Sequence, residues 1–211
     1  MNNAINSTLL LLVAAAITGC SSGRSAPSRT EPALYIVCID RSSSTNPMRQ
    51  KQIDQFNQVV TLAAADGTPI EFWTFDRRAL CQWGPQPPRS SEALFGIEQK
   101  TIAPSNSENR HITRPALLLQ AINRDTTFIT AKSVDILVLT DGDNEVPTDN
   151  SLFTREAASI AAHKSVKVAV LDINPENRPT WQHAFRGLPQ SRFLVAGDTQ
   201  SVKTEDDFLN N

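Results

Sequence analysis

The 211-residue chain contains no run of 18 apolar residues, so no part of it reads as a bilayer-spanning helix, which needs about 20. It has no basic block either. Its 20 Lys and Arg stand against 22 Asp and Glu, and this near balance argues against a nucleic-acid binder. Histidine is scarce: His111, His163 and His183 make no His-x-x-x-His spacing, so all three read as structural or surface residues. Cysteine is scarce too. Cys38 falls in an apolar run and Cys81 in a separate strand-like segment, and they read as two separate thiols rather than a bridge. No internal repeat is visible, and no nucleophile–base pair stands out. The length fits one ordinary domain with a leader or tail.

What is present begins with the leader. Leu9 to Ile17 is an unbroken apolar run of nine residues, too short to span a bilayer but suited to the core of a secretory signal. Ile17-Thr18-Gly19-Cys20 follows it and resembles the bacterial lipobox. That resemblance implies a lipoprotein signal peptide over 1–19 and lipidation of Cys20, with palmitate among the acyl groups. It also implies anchoring in the bacterial cell envelope. Ser21 then permits the periplasmic side of the outer membrane if the cell is Gram-negative. Residues 20–32 are rich in Ser, Pro, Arg and Gly and read as a flexible tether.

From residue 33 strand and helix signals alternate. Leu34–Ile39, Ile70–Phe75, Val134–Thr140 and Val166–Ile173 are apolar almost throughout, as strands covered on both faces must be. Pro47–Ala65 reads as a helix, with Ile53, Phe56, Val59, Val60 and Ala63 as its stripe and Gly67 as its left-handed end. Ala79–Trp83 reads as an antiparallel edge strand, ended by the break Gly84-Pro85-Gln86-Pro87-Pro88-Arg89. Leu94–Gln99 is a short helix or a loop, and Ala103–Asn109 is polar loop. Further helices fall at Pro115–Arg124, capped by Thr113 or its neighbour, at Leu152–His163 and at Trp181–Phe185. A short strand follows at Arg192–Val195, then a helix or tail over 201–211. Trp73, Trp83 and Trp181 read as packing residues. The order implies an α/β fold: a mostly parallel central sheet with one short antiparallel edge strand and helices on both faces.

Two strand ends carry the chemistry. Asp40-Arg41-Ser42-Ser43-Ser44 leaves the first buried strand, and Thr140-Asp141-Gly142 leaves a later one. Parallel strands ending side by side bring such groups to the carboxyl edge of a sheet, where open α/β sheets bind ligands. With Thr113 before a mid-chain helix, these residues resemble the von Willebrand factor A (vWA) domain and its metal-ion-dependent adhesion site (MIDAS). The resemblance covers about 33–200 and implies a vWA/Rossmann-like three-layer sandwich. It implies a metal set of Asp40, Ser42, Ser44, Thr113 and Asp141, although the glycines usual before that Thr are absent. Ser42 and Ser44 can ligate Mg2+ without cancelling its charge, while Asp40 and Asp141 orient its waters. Mn2+ and Ca2+ are alternatives.

The functional expectation is a binding module, not an enzyme: a membrane-anchored lipoprotein that grips a protein partner through an acidic side chain placed on the metal. The alternatives are a phosphotransfer enzyme of the haloacid dehalogenase type, using Asp40 and Mg2+, and a metal-free structural lipoprotein. Arg41 and Arg114 read either as flanking charges that attract an acidic partner or as solvent-exposed arginines. Asp143 and Glu145 read as solvated loop charge, with tuning of the metal as the alternative.

Overall fold

The computed structural model describes residues 33–88, 96, 112–144, 146–197 and 200–210. The signal peptide, the tether, Cys20, His111, Glu145, the polar loop Ala103–Asn109 and, apart from Gly96, the segment Leu94–Gln99 lie outside the described residues.

Among the described residues, β1 (Leu34–Asp40), β2 (Ile70–Phe75), β3 (Ala79–Gln86), β4 (Val134–Leu139), β5 (Val166–Leu171) and β6 (Phe193–Val195) form one sheet in the order β3-β2-β1-β4-β5-β6. Every pairing is parallel except β2 with β3. The helices are α1 (Arg49–Asp66), α2 (Pro115–Arg124), α3 (Thr126–Thr130), α4 (Asn150–Ala161), α5 (Arg178–Ala184) and α6 (Ser201–Asn210).

The period-two alternation of a strand splits the core into two layers. Leu34, Ile36 and Cys38 of β1 face one side, where Ala116, Leu118, Phe153 and Trp181 from α2, α4 and α5 cover them. Tyr35, Val37 and Ile39 face the other, against Phe56, Val59 and Ala63 of α1 and Phe208 and Leu209 of α6. Strands covered on both faces bury every side chain, which is why β1, β2 and β4 read as largely apolar runs, broken only by Glu71 and Thr74 in β2, Asp135 in β4 and the terminal Asp40. The expected α/β three-layer architecture is the one observed.

Four local expectations need correction. The helix placed at Pro47 begins as α-helix only at Arg49, and Ser43–Met48 is a 3-10 turn. Thr45 Oγ1 donates to the carbonyls of Asp40 and Ser42, both at 2.9 Å, and holds that tighter winding. The break at Gly84-Pro85 does not end β3, which runs on to Gln86. An edge strand tolerates a missing N–H, and β3 shifts register against β2 there. A Cβ on Gly84 would stand 2.2 Å from Ile70 O, so only glycine permits the approach. The strand expected to reach Ile173 stops at Leu171, and Asp172 takes a left-handed φ of 67°. Helix α3 was not expected. Asp125 caps it through the Thr127 and Phe128 amides, at 2.7 and 3.2 Å.

Cys38 and Cys81 are both free thiols. Trp73 on β2 pairs with Cys38 on one side and Cys81 on the other. The two cysteines are therefore two strand spacings apart, roughly 9–10 Å, beyond the reach of a disulfide.

Candidate metal centre

Strands β1 and β4 are neighbours in space, but the chain winds outward from them in opposite directions, so their carboxyl ends form the topological switch point of the sheet. Ile39 pairs with Leu139, which sets Asp40 beside Thr140 and Asp141 just beyond. Asp40 is fully buried. Its Oδ1 accepts from the Ser42 amide at 2.8 Å and its Oδ2 from Thr140 Oγ1 at 2.7 Å. Thr140 Oγ1 in turn accepts from the Gly142 amide at 3.0 Å. The Ser42 and Ser44 hydroxyls lie 2.9 Å apart. Asp141 Oδ1 accepts from the Asp143 amide at 3.2 Å. Asp141 Oδ2 is buried and has no hydrogen-bond partner among the described residues.

The electrostatics follow from burial and proximity. Loss of hydration, then the neighbouring Asp141, push the Asp40 carboxyl up to about 7, against the lowering pull of Thr140 and Ser42. Burial also raises Asp141, opposed by hydrogen bonds from the Ser44 hydroxyl and the Asp143 amide. The fold thus brings Asp40, Ser42, Ser44 and Asp141 together. Thr113 is buried at the same edge of the sheet: the next residue, Arg114, donates its amide to Asp76 O, just past the end of β2, at 3.0 Å. Arg114 itself is the N-cap of α2 and makes no side-chain cap bond.

Several site residues escaped the sequence reading. Thr140 reads as part of the Thr140-Asp141-Gly142 turn, with no role of its own. Arg49 stands out in no motif, yet it is buried beneath the first loop. Its Nη1 donates to Asp40 O at 2.6 Å and its Nη2 to Thr45 Oγ1 at 3.0 Å. The guanidinium therefore braces the backbone of the loop. Trp181 does pack, against Phe153 and Phe185, but its indole N–H also donates to Gly142 O at 3.1 Å. Asn177 donates to Asp141 O at 3.1 Å and to Asp143 Oδ1. Asp143 is therefore half-buried and engaged, not the solvated charge expected. Arg114 is partly exposed and forms an ion pair with Asp149 at 2.8 Å, a contact that neither of its readings included. No sequence signal marked these contacts: most join segments far apart in the chain, and those of Arg49 depend on how the first loop folds back over the start of α1.

The residues fit a divalent cation. The donors are all oxygens, the set that hard cations take, and Asp141 Oδ2 is a buried acceptor that no donor among the described residues satisfies.

No protein-family profile matches the chain, and no curated protein sequence matches it. Solved structures do. BatB from Bacteroides thetaiotaomicron superposes with a TM-score of 0.58 at 15% identity, over 83% of this chain and 96% of that one. A von Willebrand factor type A structure from Catenulispora acidiphila gives 0.56 at 18% identity, over 83% and 41%. The fold is of the vWA type. Proximal thread matrix protein 1 from the mussel byssus matches at 0.60 and 18% identity, over 84% of this chain. The chain spans 45% of that mussel protein. A further structure of the mussel protein, with a TM-score of 0.58 at 15% identity, is described with a zinc-occupied MIDAS motif. At these identities the likeness to vWA structures is one of fold.

Proposed function

We propose that this vWA-type domain is a binding module that grips a protein partner through a divalent cation. Asp40, Ser42, Ser44, Thr113 and Asp141 would hold the ion, and an acidic side chain of the partner would complete its coordination. The observation that carries the reading is the buried, like-charged pair Asp40 and Asp141 at the switch point. Two buried carboxylates without a counter-cation are unfavourable, and a cation between their loops relieves both desolvation and repulsion. Mg2+ suits the oxygen set, with Mn2+ and Ca2+ as alternatives. The zinc of the mussel protein supports a divalent ion in this fold without favouring Mg2+.

When bound, the ion supplies a polarising charge and an open position for a carboxylate. The chain's own residues do the rest. Thr140 and the Ser42 amide fix both oxygens of Asp40, Arg49 braces the backbone below, and Trp181 and Asn177 hold the Asp141 loop from the side.

The same reading places the domain in the bacterial envelope, lipid-anchored through Cys20. The lipobox-like run supports this. So does a structural neighbour described as an aerotolerance-related membrane protein from Bacteroides fragilis, with a TM-score of 0.54 at 15% identity.

Calorimetric titration of the purified full chain with Mg2+, Mn2+ and Zn2+ tests the site. Binding is expected in the wild type and is expected to be lost in Asp40→Ala; equal binding by both would sink the assignment. Pull-down from membranes with and without chelator would then identify the partner. Turnover of a phosphate ester that Asp40→Asn abolishes would favour the enzyme reading instead.

A further inference from the structure

Arg114 and Asp149 lie 35 positions apart, yet they join the segment that enters α2 to the segment that enters α4. Arg114 Nε donates to Asp149 Oδ2 at 2.8 Å, and Nη2 donates to Oδ1 at 3.1 Å. This is the two-pronged geometry that makes an Arg–carboxylate pair directional as well as strong. Asp149 is only 7% exposed. The backbone of Arg114 is fixed as well: its amide donates to Asp76 O and its carbonyl accepts from Leu117, both at 3.0 Å. The residue immediately before it is Thr113.

Asp149 closes the 3-10 turn Pro147–Asp149, through which the Asp141 loop enters α4. The pair therefore spans from the segment carrying Thr113 to the segment carrying Asp141. The stretch Ile112-Thr113-Arg114-Pro115 holds no glycine, the residue that takes left-handed backbone at least cost, and Arg114 has an extended φ of −128°, so contacts with other segments gain weight in its placement. Pairing with Asp149 also neutralises an arginine standing next to a site that must accept a cation.

We propose that the Arg114–Asp149 pair is a positioning latch: it sets the distance between the Thr113 and Asp141 loops, so that their oxygens are assembled before the cation arrives. This rests on the metal-binding reading above. The latch residues touch no ion themselves and act through Thr113.

The test is Mn2+ titration of the full chain, read by electron paramagnetic resonance, with the metal-free melting midpoint of each variant recorded alongside. Asp149→Asn and Thr113→Ala are each expected to weaken Mn2+ binding about 10-fold, the scale usual for residues that orient metal ligands. The double variant is expected to be no weaker than either single one, because both act on the same ligand. Arg114→Lys keeps the charge but loses the fork, and is expected to bind at an intermediate level even if Asp149→Asn unfolds. Wild-type affinity in Arg114→Lys, or independent and multiplying losses in the double variant, would overturn the latch while leaving the cation site standing. A wild type that binds no Mn2+ would overturn the metal reading, and the latch with it.

Discussion

Asp40 carries the largest electrostatic burden in the site. Burial and Asp141 raise its carboxyl from 3.8 to about 7, and Asp141 moves in the same direction. In the window between those two values the folded chain holds a proton that the unfolded chain has released. A folded state that binds more protons loses stability as pH rises. The metal-free protein is therefore expected to melt lower at about pH 8 than at about pH 5, with saturating Mg2+ or Mn2+ narrowing the gap. Melting curves with and without chelator across that range measure both effects. Protons compete for the same oxygens, so cation affinity is expected to fall as pH drops below about 7. Asp40→Asn separates stability from function. It removes the buried charge while keeping its shape, so the metal-free midpoint at neutral pH is expected to rise, by roughly 2–4 °C for each kcal/mol recovered. Cation binding is expected to vanish in the same variant.

At the scale of elements, the loop after β4 is held from the side by the segment that follows β5. The Asn174 amide donates to Asp141 O at 2.9 Å, and Asn177 and Trp181 complete the attachment. Gly142 makes this close docking possible. Its φ is 84°, and a Cβ there would stand 2.5 Å from Ile173 Cγ1. Gly142→Ala combines left-handed strain with a clash, and is expected to cost about 1–3 kcal/mol in chemical denaturation. The displaced loop carries Asp141, so the variant is also expected to bind Mn2+ more weakly; unchanged affinity would mean that the loop adjusts without moving its carboxylate. The first loop is organised differently. The 3-10 turn Ser43–Met48 carries the Ser44 hydroxyl, and Thr45 and Arg49 pin it from below through the carbonyls of Asp40 and Ser42. Each of these two loops thus has its own brace, and the Arg114–Asp149 pair ties the segment before α2 to the one before α4.

At the scale of the molecule, the parallel strands end together at the edge that carries Asp40 and Asp141, and β1 begins at the opposite end, directly after residue 33. If Cys20 carries lipid, the full chain expressed in a bacterium is expected to take up a clickable palmitate and to fractionate with membranes. Cys20→Ala is expected to lose both behaviours. Retention of the label would place the acyl group elsewhere.

The buried strands, the edge hairpin and the stripe of α1 were legible because each follows from a local period: two for a strand, between three and four for a helix. The chemical character of the two strand ends was legible for the same reason, since Asp40 and Asp141 mark where apolar runs stop. Local pattern missed α3, whose cap is a single Asp125, and it ended β3 too early at Gly84. In the second case the partner strand decided, because an edge position removes the need for one N–H.

By itself the sequence determined a doubly covered parallel sheet and the residue types at the ends of its strands, because burial on both faces demands unbroken apolar runs and chain polarity resumes only where they end. Tertiary structure alone decided which groups answer those carboxylates. Thr140 against Asp40, Trp181 against Gly142 and Arg114 against Asp149 are pairings across the fold. A hydrogen bond depends on a separation of about 3 Å between atoms, and no period in the chain encodes that for residues tens or a hundred positions apart.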